Sequence, residues 1–300
     1  MADRYISANV YCRRVFGEKV YKLALSASDS CPNRDGTKGS GGCIFCSRGG
    51  SGDFAASAAL PISEQITQAK AILDEKGRGM KYIAYFQSFT GTYGDMAKLE
   101  KIYSEAARMR DIVGVSIATR PDCLEDNAMA MLERLSEHTT LWVELGLQTI
   151  HERTAAYINR GYALDIYDEA IEKLSKIDVH RITHLIFGLP GESRDDMLET
   201  AAYVGRRTDG IKLQLLHVLE GTKLAELYRQ GTFRTLEQDE YCALVADAVK
   251  LLPENVVIHR MTGDGAKKDL IAPLWSGDKK RVLADINREL RRRGIECVPS

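Results

Sequence analysis

The sequence has no run of 18 or more apolar residues, so no membrane-spanning helix is expected. Its opening stretch, MADRYISANVYCRRVFGEK, is polar and has no apolar segment of the kind a secretory leader carries. Neither charge predominates: 41 Lys and Arg stand against 42 Asp and Glu, for a formal net charge of -1. That balance excludes a uniformly basic nucleic-acid coat and leaves room for a local basic patch. There is no linker rich in Pro, Gly or Ser, no internal repeat and no low-complexity tract. What is present is an ordinary globular composition, 44% hydrophobic and 28% charged, over 300 residues. A chain of that length buries roughly three quarters of its unfolded surface, so it folds without staples. A cytoplasmic location is expected. The seven cysteines are then better read as core, metal-binding or reactive residues than as disulfides.

Short β-branched or apolar runs predict strands over residues 20–27, 82–86, 113–118, 141–147, 182–188 and 211–218. Amphipathic stretches over 63–75, 96–110, 125–136, 165–176 and 193–206 predict the helices between them. Strand then helix, repeated six times, predicts an α/β fold with a parallel sheet, a partial (β/α)6 TIM-like barrel rather than a short doubly wound sheet. The rhythm changes after residue 236. A helix over 239–252, a short strand over 256–259 and a basic helix over 278–293 are expected to form a C-terminal extension, 237–300, packed on the core barrel of 1–236. In such a barrel, functional groups gather where the strands end.

After the first strand comes CPNRDGTKGSGGCIFC, residues 31–46, with Cys31, Cys43 and Cys46 separated by eleven and then two residues. Thiolates select zinc, copper or iron–sulfur. Structural zinc closes its tetrahedron with four protein ligands, and no fourth Cys or His lies nearby. A set of three thiolates with one open position suits a [4Fe–4S] cluster with one accessible iron. Structural zinc, a redox thiol pair and simple packing are the other readings of these three residues. Cys12, Cys123, Cys242 and Cys297 are expected to be packing or surface residues.

The cysteine loop resembles that of radical S-adenosylmethionine (SAM) enzymes. The words CPNRDGT and GGCIFC resemble the YhcC/YtqA-type group, relatives of the elongator catalytic subunit, over nearly the whole chain. The resemblance implies that Cys31, Cys43 and Cys46 hold three irons and that SAM takes the fourth. It implies reductive cleavage of SAM to a 5′-deoxyadenosyl radical, with the electron coming from a reductant such as flavodoxin or ferredoxin. Phe45 stands where the family places an aromatic near the adenine.

The later strand ends carry the same resemblance. YFQSFTG, 85–91, replaces the superfamily's Gly-Gly-Glu, and its oxygens in Gln87, Ser88 and Thr90 are candidates to hold the SAM ammonium. SIATRPD, 116–122, resembles a Thr-Arg-Pro-Asp signature, with Thr119 and Arg120 as SAM-binding candidates. A structural Arg120–Asp122 pair is the alternative there. ELGLQT, 144–149, puts Glu144, Gly146 and Gln148 on one strand face, where Glu144 and Gln148 call for partners such as the SAM ribose or ammonium. HLIFGLPGE, 184–192, resembles the adenine-side turn, with close approach at Gly188.

For substrate the candidates are Lys212 and His217 on the sixth strand and His259, Arg260 and Asp264 in HRMTGDG, 259–265. The last helix has an apolar stripe of Val282, Ile286 and Leu290 and seven basic residues around it. Because the elongator-like relatives act on tRNA wobble uridines, the patch reads as an RNA phosphate contact or as a solvated face. The expected substrate is a tRNA wobble uridine. A small metabolite or a protein is the alternative, as is a non-catalytic, metal-stabilised binding module.

Overall fold

The computed structural model describes residues 3–28, 30–47, 49–50, 55–74, 81–263, 265 and 267–299. A short strand, β1 (Asp3–Ser7), and a helix, α1 (Ala8–Phe16), come first, and the apolar pattern predicts neither. Local chemistry accounts for the helix: the Ser7 hydroxyl accepts from the Val10 N–H, and Gly17, in the left-handed region, ends it.

Six strands connected by helices follow: β2 (Val20–Leu25), α2 (Ile62–Asp74), β3 (Lys81–Phe86), α3 (Met96–Arg108), β4 (Ile112–Thr119), α4 (Asp126–Ser136), β5 (Thr140–Gln148), α5 (Glu152–Tyr157), α6 (Leu164–Leu174), β6 (His180–Phe187), α7 (Arg194–Gly205) and β7 (Gly210–Leu215). All six expected strands are present. β2 and β7 are each two residues shorter than expected, and the β7 ladder stops at Leu215. Then come β8 (Val218–Leu219), α8 (Lys223–Arg229), α9 (Gln238–Leu251), β9 (Val257–Arg260), β10 (Leu270–Ala272), α10 (Lys279–Arg292) and β11 (Ile295–Cys297). Nine of the strands form one sheet in the order β11-β1-β9-β7-β6-β5-β4-β3-β2, and neighbours are parallel throughout.

The sheet is rolled. Lys22 of β2 reaches Glu144 of β5 at 2.7 Å, and Lys212 of β7 reaches Tyr85 of β3 at 3.0 Å. These strands are not neighbours in the sheet, so their side chains meet only across the inside of a barrel. β2 does not pair with the far edge, and the barrel is therefore partial. On the outer face, Leu23, Val115, Ile117, Val143, Leu145, Leu185 and Leu213 are buried against the helices. Each contributes about 2 kcal/mol of apolar burial, which fixes strand register and so fixes which residues point inward. β9 enters the sheet beside β7, so the last third of the chain continues the barrel wall. α10 buries Val282, Ile286 and Leu290, as its stripe predicts.

Candidate active site

The inside of the barrel is layered. At the foot, Tyr11 of α1 stacks on His180 with ring centroids 4.6 Å apart, and Trp142 and His259 complete an aromatic plug. His180 and His259 share a hydrogen bond between their Nε2 atoms, 2.9 Å apart. Gly210 makes room for this pair: a Cβ there would lie 2.6 Å from the His259 ring. Burial lowers the pKa of His180 to about 4 and that of His259 well below its ordinary value, so both rings are neutral at pH 7.

Above the plug lies a charged layer centred on Glu144, which is fully buried. Its Oε1 accepts from Lys22 Nζ and Ser116 Oγ, each at 2.7 Å. Its Oε2 accepts from Lys212 Nζ, and His184 Nε2 lies at 2.6 Å. Burial pushes the Glu144 carboxyl up, but Lys212, Lys22 and His184 together hold it well below the usual carboxylate range. Burial, with Lys22 close by, pulls Lys212 well below the ordinary lysine value, and it lowers His184 to about 4. Lys22 is held further by the ring faces of Tyr85 and Trp142, 4.7 and 4.8 Å from its ammonium.

At the top is the cysteine loop. Arg34 N–H donates to Cys31 O, Gly42 N–H to Asn33 O, and Cys46 N–H to Cys43 O. The Asn33 side chain donates to Asn159 O at 2.7 Å and lies 3.7 Å from Cys43 Sγ. A Cβ on Gly39 would lie 2.2 Å from Asn33 Oδ1, so the excursion closes only over a glycine. Asn159 in turn donates to Ser40 O and Gly42 O, tying the loop to the end of α5. The Cys46 thiol hydrogen-bonds to Cys43, which lowers Cys43 to about 7, and the burial and contacts that accompany this raise Cys46 well above the usual thiol value.

Between the cysteine loop and the charged layer lies a cavity of about 680 Å³. Its wall includes Cys31, Cys43 and Cys46 together with Phe45, Gln87, Thr90, Thr119, Arg120, Glu144, Gln148, His217 and Arg260. The strand-end residues singled out from the sequence therefore converge, with exceptions. Ser88 is turned to Ser26, their hydroxyls 2.7 Å apart, and is not in the wall. Gly188 makes its close approach to Leu236, 3.3 Å from where a Cβ would be, and not to the cavity. Lys212 lies behind Glu144, and the anionic partner its position requires is that carboxylate. His259 belongs to the plug. Asp264 lies outside the described residues.

Roles shift even for residues in the wall. Glu144 has four donors from the strands, so its partners are internal. Two nitrogens of the Arg120 guanidinium grip Asp122 at 2.9 and 2.8 Å, the structural pair that the sequence allowed as an alternative. Thr119 Oγ1 lies 2.5 Å from Thr92 Oγ1. Thr90 Oγ1, by contrast, is buried with no partner among the described residues. His217 lies two residues beyond the end of β7, so strand alternation no longer applies to it. Gly263 and Gly265 pack against its ring, where any Cβ would come within 3 Å. Lys22 and His184 join the site without being candidates from the sequence. Lys22 is two residues from Ala24 on the inward face of β2, and a lysine at such a position was the available signal.

The basic helix lies elsewhere. β11, which follows α10, pairs Ile295 with Asp3 at the very start of β1, so α10 ends at the foot of the barrel, away from the cavity mouth. Arg288 is paired with Asp285, Arg292 with Glu289 at 2.7 Å, and Arg293 with Asp247 at 2.6 Å.

The three thiols can be tested against a metal. Among the described residues no three His, Cys, Asp or Glu side chains converge on a point suited to one ion. The cysteines instead border one cavity side by side. Three thiols facing a common space, two of them in hydrogen-bond contact, fit a polynuclear cluster in which each iron takes one sulfur.

Comparison with known proteins gives concordant results. The Radical SAM superfamily model matches residues 29–204, and the Radical_SAM C-terminal domain model matches 208–292. The chain is 46% identical over 292 residues to the uncharacterized protein YtqA of Bacillus subtilis, covering 97% of this chain and 91% of that one. It is 29% identical over 220 residues to the tRNA uridine(34) acetyltransferase of Dehalococcoides mccartyi, covering 71% of this chain and 46% of that one. The solved structure of archaeal Methanocaldococcus infernus Elp3 with an N-terminal deletion superposes with a TM-score of 0.66 at 17% identity. That match covers 93% of this chain and 64% of the other, and it bears on the fold. Among the described residues no helix is long and apolar enough to cross a membrane.

Proposed function

This chain belongs to the radical SAM superfamily, whose cofactors are a [4Fe–4S] cluster and SAM, and on that premise we propose that it modifies the side chain of a tRNA wobble uridine in the cytoplasm. When bound, the cluster supplies the electron that cleaves SAM to the hydrogen-abstracting 5′-deoxyadenosyl radical. The chain's part is to hold and orient. Cys31, Cys43 and Cys46 would ligate three irons, and Arg34 and Arg120 beside them favour the thiolate form of Cys43. Thr90 is the leading acceptor for the SAM ammonium, because its hydroxyl is buried in the wall with no partner among the described residues. Gln87 and Gln148 would serve beside it. Phe45 would pack on the adenine. The Nη1 of Arg120, free of Asp122, would meet the SAM carboxylate. His217 and Arg260 line the same cavity and would face the substrate. A flavodoxin- or ferredoxin-type reductant would deliver the electron.

The observation that carries this reading is the convergence of the three cysteines and the polar strand ends on one cavity. The tRNA assignment draws on the name of the D. mccartyi relative, of which this chain spans less than half. It is tested by mass spectrometry of tRNA nucleosides from a strain lacking the protein. A wobble uridine with an incomplete side chain is expected. An unchanged nucleoside profile overturns the tRNA assignment in favour of a small metabolite or a protein.

A further inference from the structure

The charged layer beneath the cavity is larger than a structural ion pair needs. Glu144 is already saturated by Lys22, Ser116, His184 and Lys212. It is the one carboxylate in the cavity wall among the described residues, whereas Lys22, Arg34, Arg120 and Arg260 all line it. Arg120 is neutralised by Asp122 at the rim, and Arg34 belongs to the cysteine loop. At the floor, Lys22 and Lys212 share the single carboxylate of Glu144. An anion beside Lys22 would favour the charged form of Lys212, which burial otherwise pulls down, while burial and Lys212 keep His184 neutral.

Excess positive charge held in a low-dielectric interior is costly unless an anion shares the space. The donors for such an anion are in place. Lys22 has just over a quarter of its side chain open, lines the cavity, and gives one of its three N–H bonds to Glu144. The rings of Tyr85 and Trp142 hold its ammonium in position. Gln214, two residues beyond Lys212 on the same strand face, lines the cavity, and its amide makes no hydrogen bond among the described residues.

We propose that this floor is a subsite for a terminal oxyanion on the substrate, with Lys22 as its principal ligand and Gln214 and Arg260 beside it. The anion must be terminal, because an internal RNA phosphate carries chain on both sides and cannot be threaded to the floor of a barrel plugged at its foot by Tyr11 and Trp142. A carboxylate at the end of a nucleoside side chain, or a phosphate monoester, satisfies that condition. The inference deepens the functional reading above and rests on this cavity being the active site.

The floor has a built-in reporter. The chain has two tryptophans, and Trp142 lies 4.8 Å from the Lys22 ammonium, while Trp275 lies outside the barrel against Tyr241. Reconstituted protein labelled with 15N at the tryptophan indoles should show two indole resonances, assigned with W275F. Titration with acetate and with methyl phosphate at constant ionic strength should move the Trp142 resonance saturably and leave Trp275 in place. Response to acetate identifies a carboxylate subsite, and response to methyl phosphate identifies a phosphate one. K22M should abolish the shift and K22R should retain it. No saturable shift with either anion in the wild-type protein, or the same shift in folded K22M, overturns the subsite. The wild-type titration stands by itself if K22M does not fold. 5′-Deoxyadenosine is measured on the same wild-type sample. If it forms while no shift occurs, only the subsite fails, and if it does not form, the functional reading fails instead.

Discussion

Glu144 shows how one buried residue organises its surroundings. A carboxylate at an inward strand position needs partners, and that much follows from alternation in ELGLQT. Which partners it finds depends on β2, β4, β6 and β7 arriving at the same height, and a linear pattern does not carry that information. Glu144 and Lys212 were therefore each recognisable as unusual, but their mutual pairing was not, and Lys22 went unnoticed. The buried histidines yield a prediction at this scale. His180 and His184 titrate near pH 4 in the fold and near 6.5 when unfolded, and His259 is shifted in the same direction. Between those values the unfolded chain binds more protons, so stability falls as pH drops from about 6.5 towards 4. Each of the first two histidines contributes up to about 3 kcal/mol over that window. The urea midpoint of the cluster-free chain should fall markedly between pH 7 and pH 4.5. A midpoint that is flat or rises would contradict the neutral-histidine plug.

At the scale of elements, α10 is the instructive case. Its stripe of Val282, Ile286 and Leu290 and its basic face are both evident in the sequence, and the stripe is buried as expected. What the helix does with its charge depends on its direction. It runs from the mouth end to the foot, so Lys280 and Arg281 begin near the mouth while Arg288 and Arg292 end some 10–20 Å further down, at about 1.5 Å per residue. The lower arginines are also engaged by Asp285 and Glu289. If tRNA approaches the mouth, K280E/R281E should weaken binding and reduce its salt slope, while R288E/R292E should leave both nearly unchanged. Filter-binding titrations over a range of salt concentrations distinguish the two pairs, and the reverse order would place the RNA at the foot. β1 and α1 teach the complementary lesson. Strand β1 owes its place to pairing with β9 and β11 from the other end of the chain, which local propensity does not encode.

The whole molecule is a rolled parallel sheet with an aromatic plug at the foot, a charged layer above it, a cavity, and a cysteine loop at the mouth. The repeated βα rhythm made the barrel legible, because register and burial are written in apolar periodicity. The three-cysteine spacing made the cofactor legible, because thiolates without a fourth ligand have few uses. The floor of the barrel was not legible, since it is assembled from five strands far apart in the chain. The near-zero net charge of the composition therefore conceals a gathering of basic side chains inside the barrel. The central claim is that the cysteine loop holds a redox-active cluster that acts on SAM, and anaerobic reconstitution with iron and sulfide tests it most directly. With dithionite and SAM, the wild-type protein should carry a [4Fe–4S] cluster and release 5′-deoxyadenosine, and C31A/C43A/C46A should do neither. A wild-type protein that holds the cluster and yields no 5′-deoxyadenosine, or a triple variant that retains the cluster, would contradict the account.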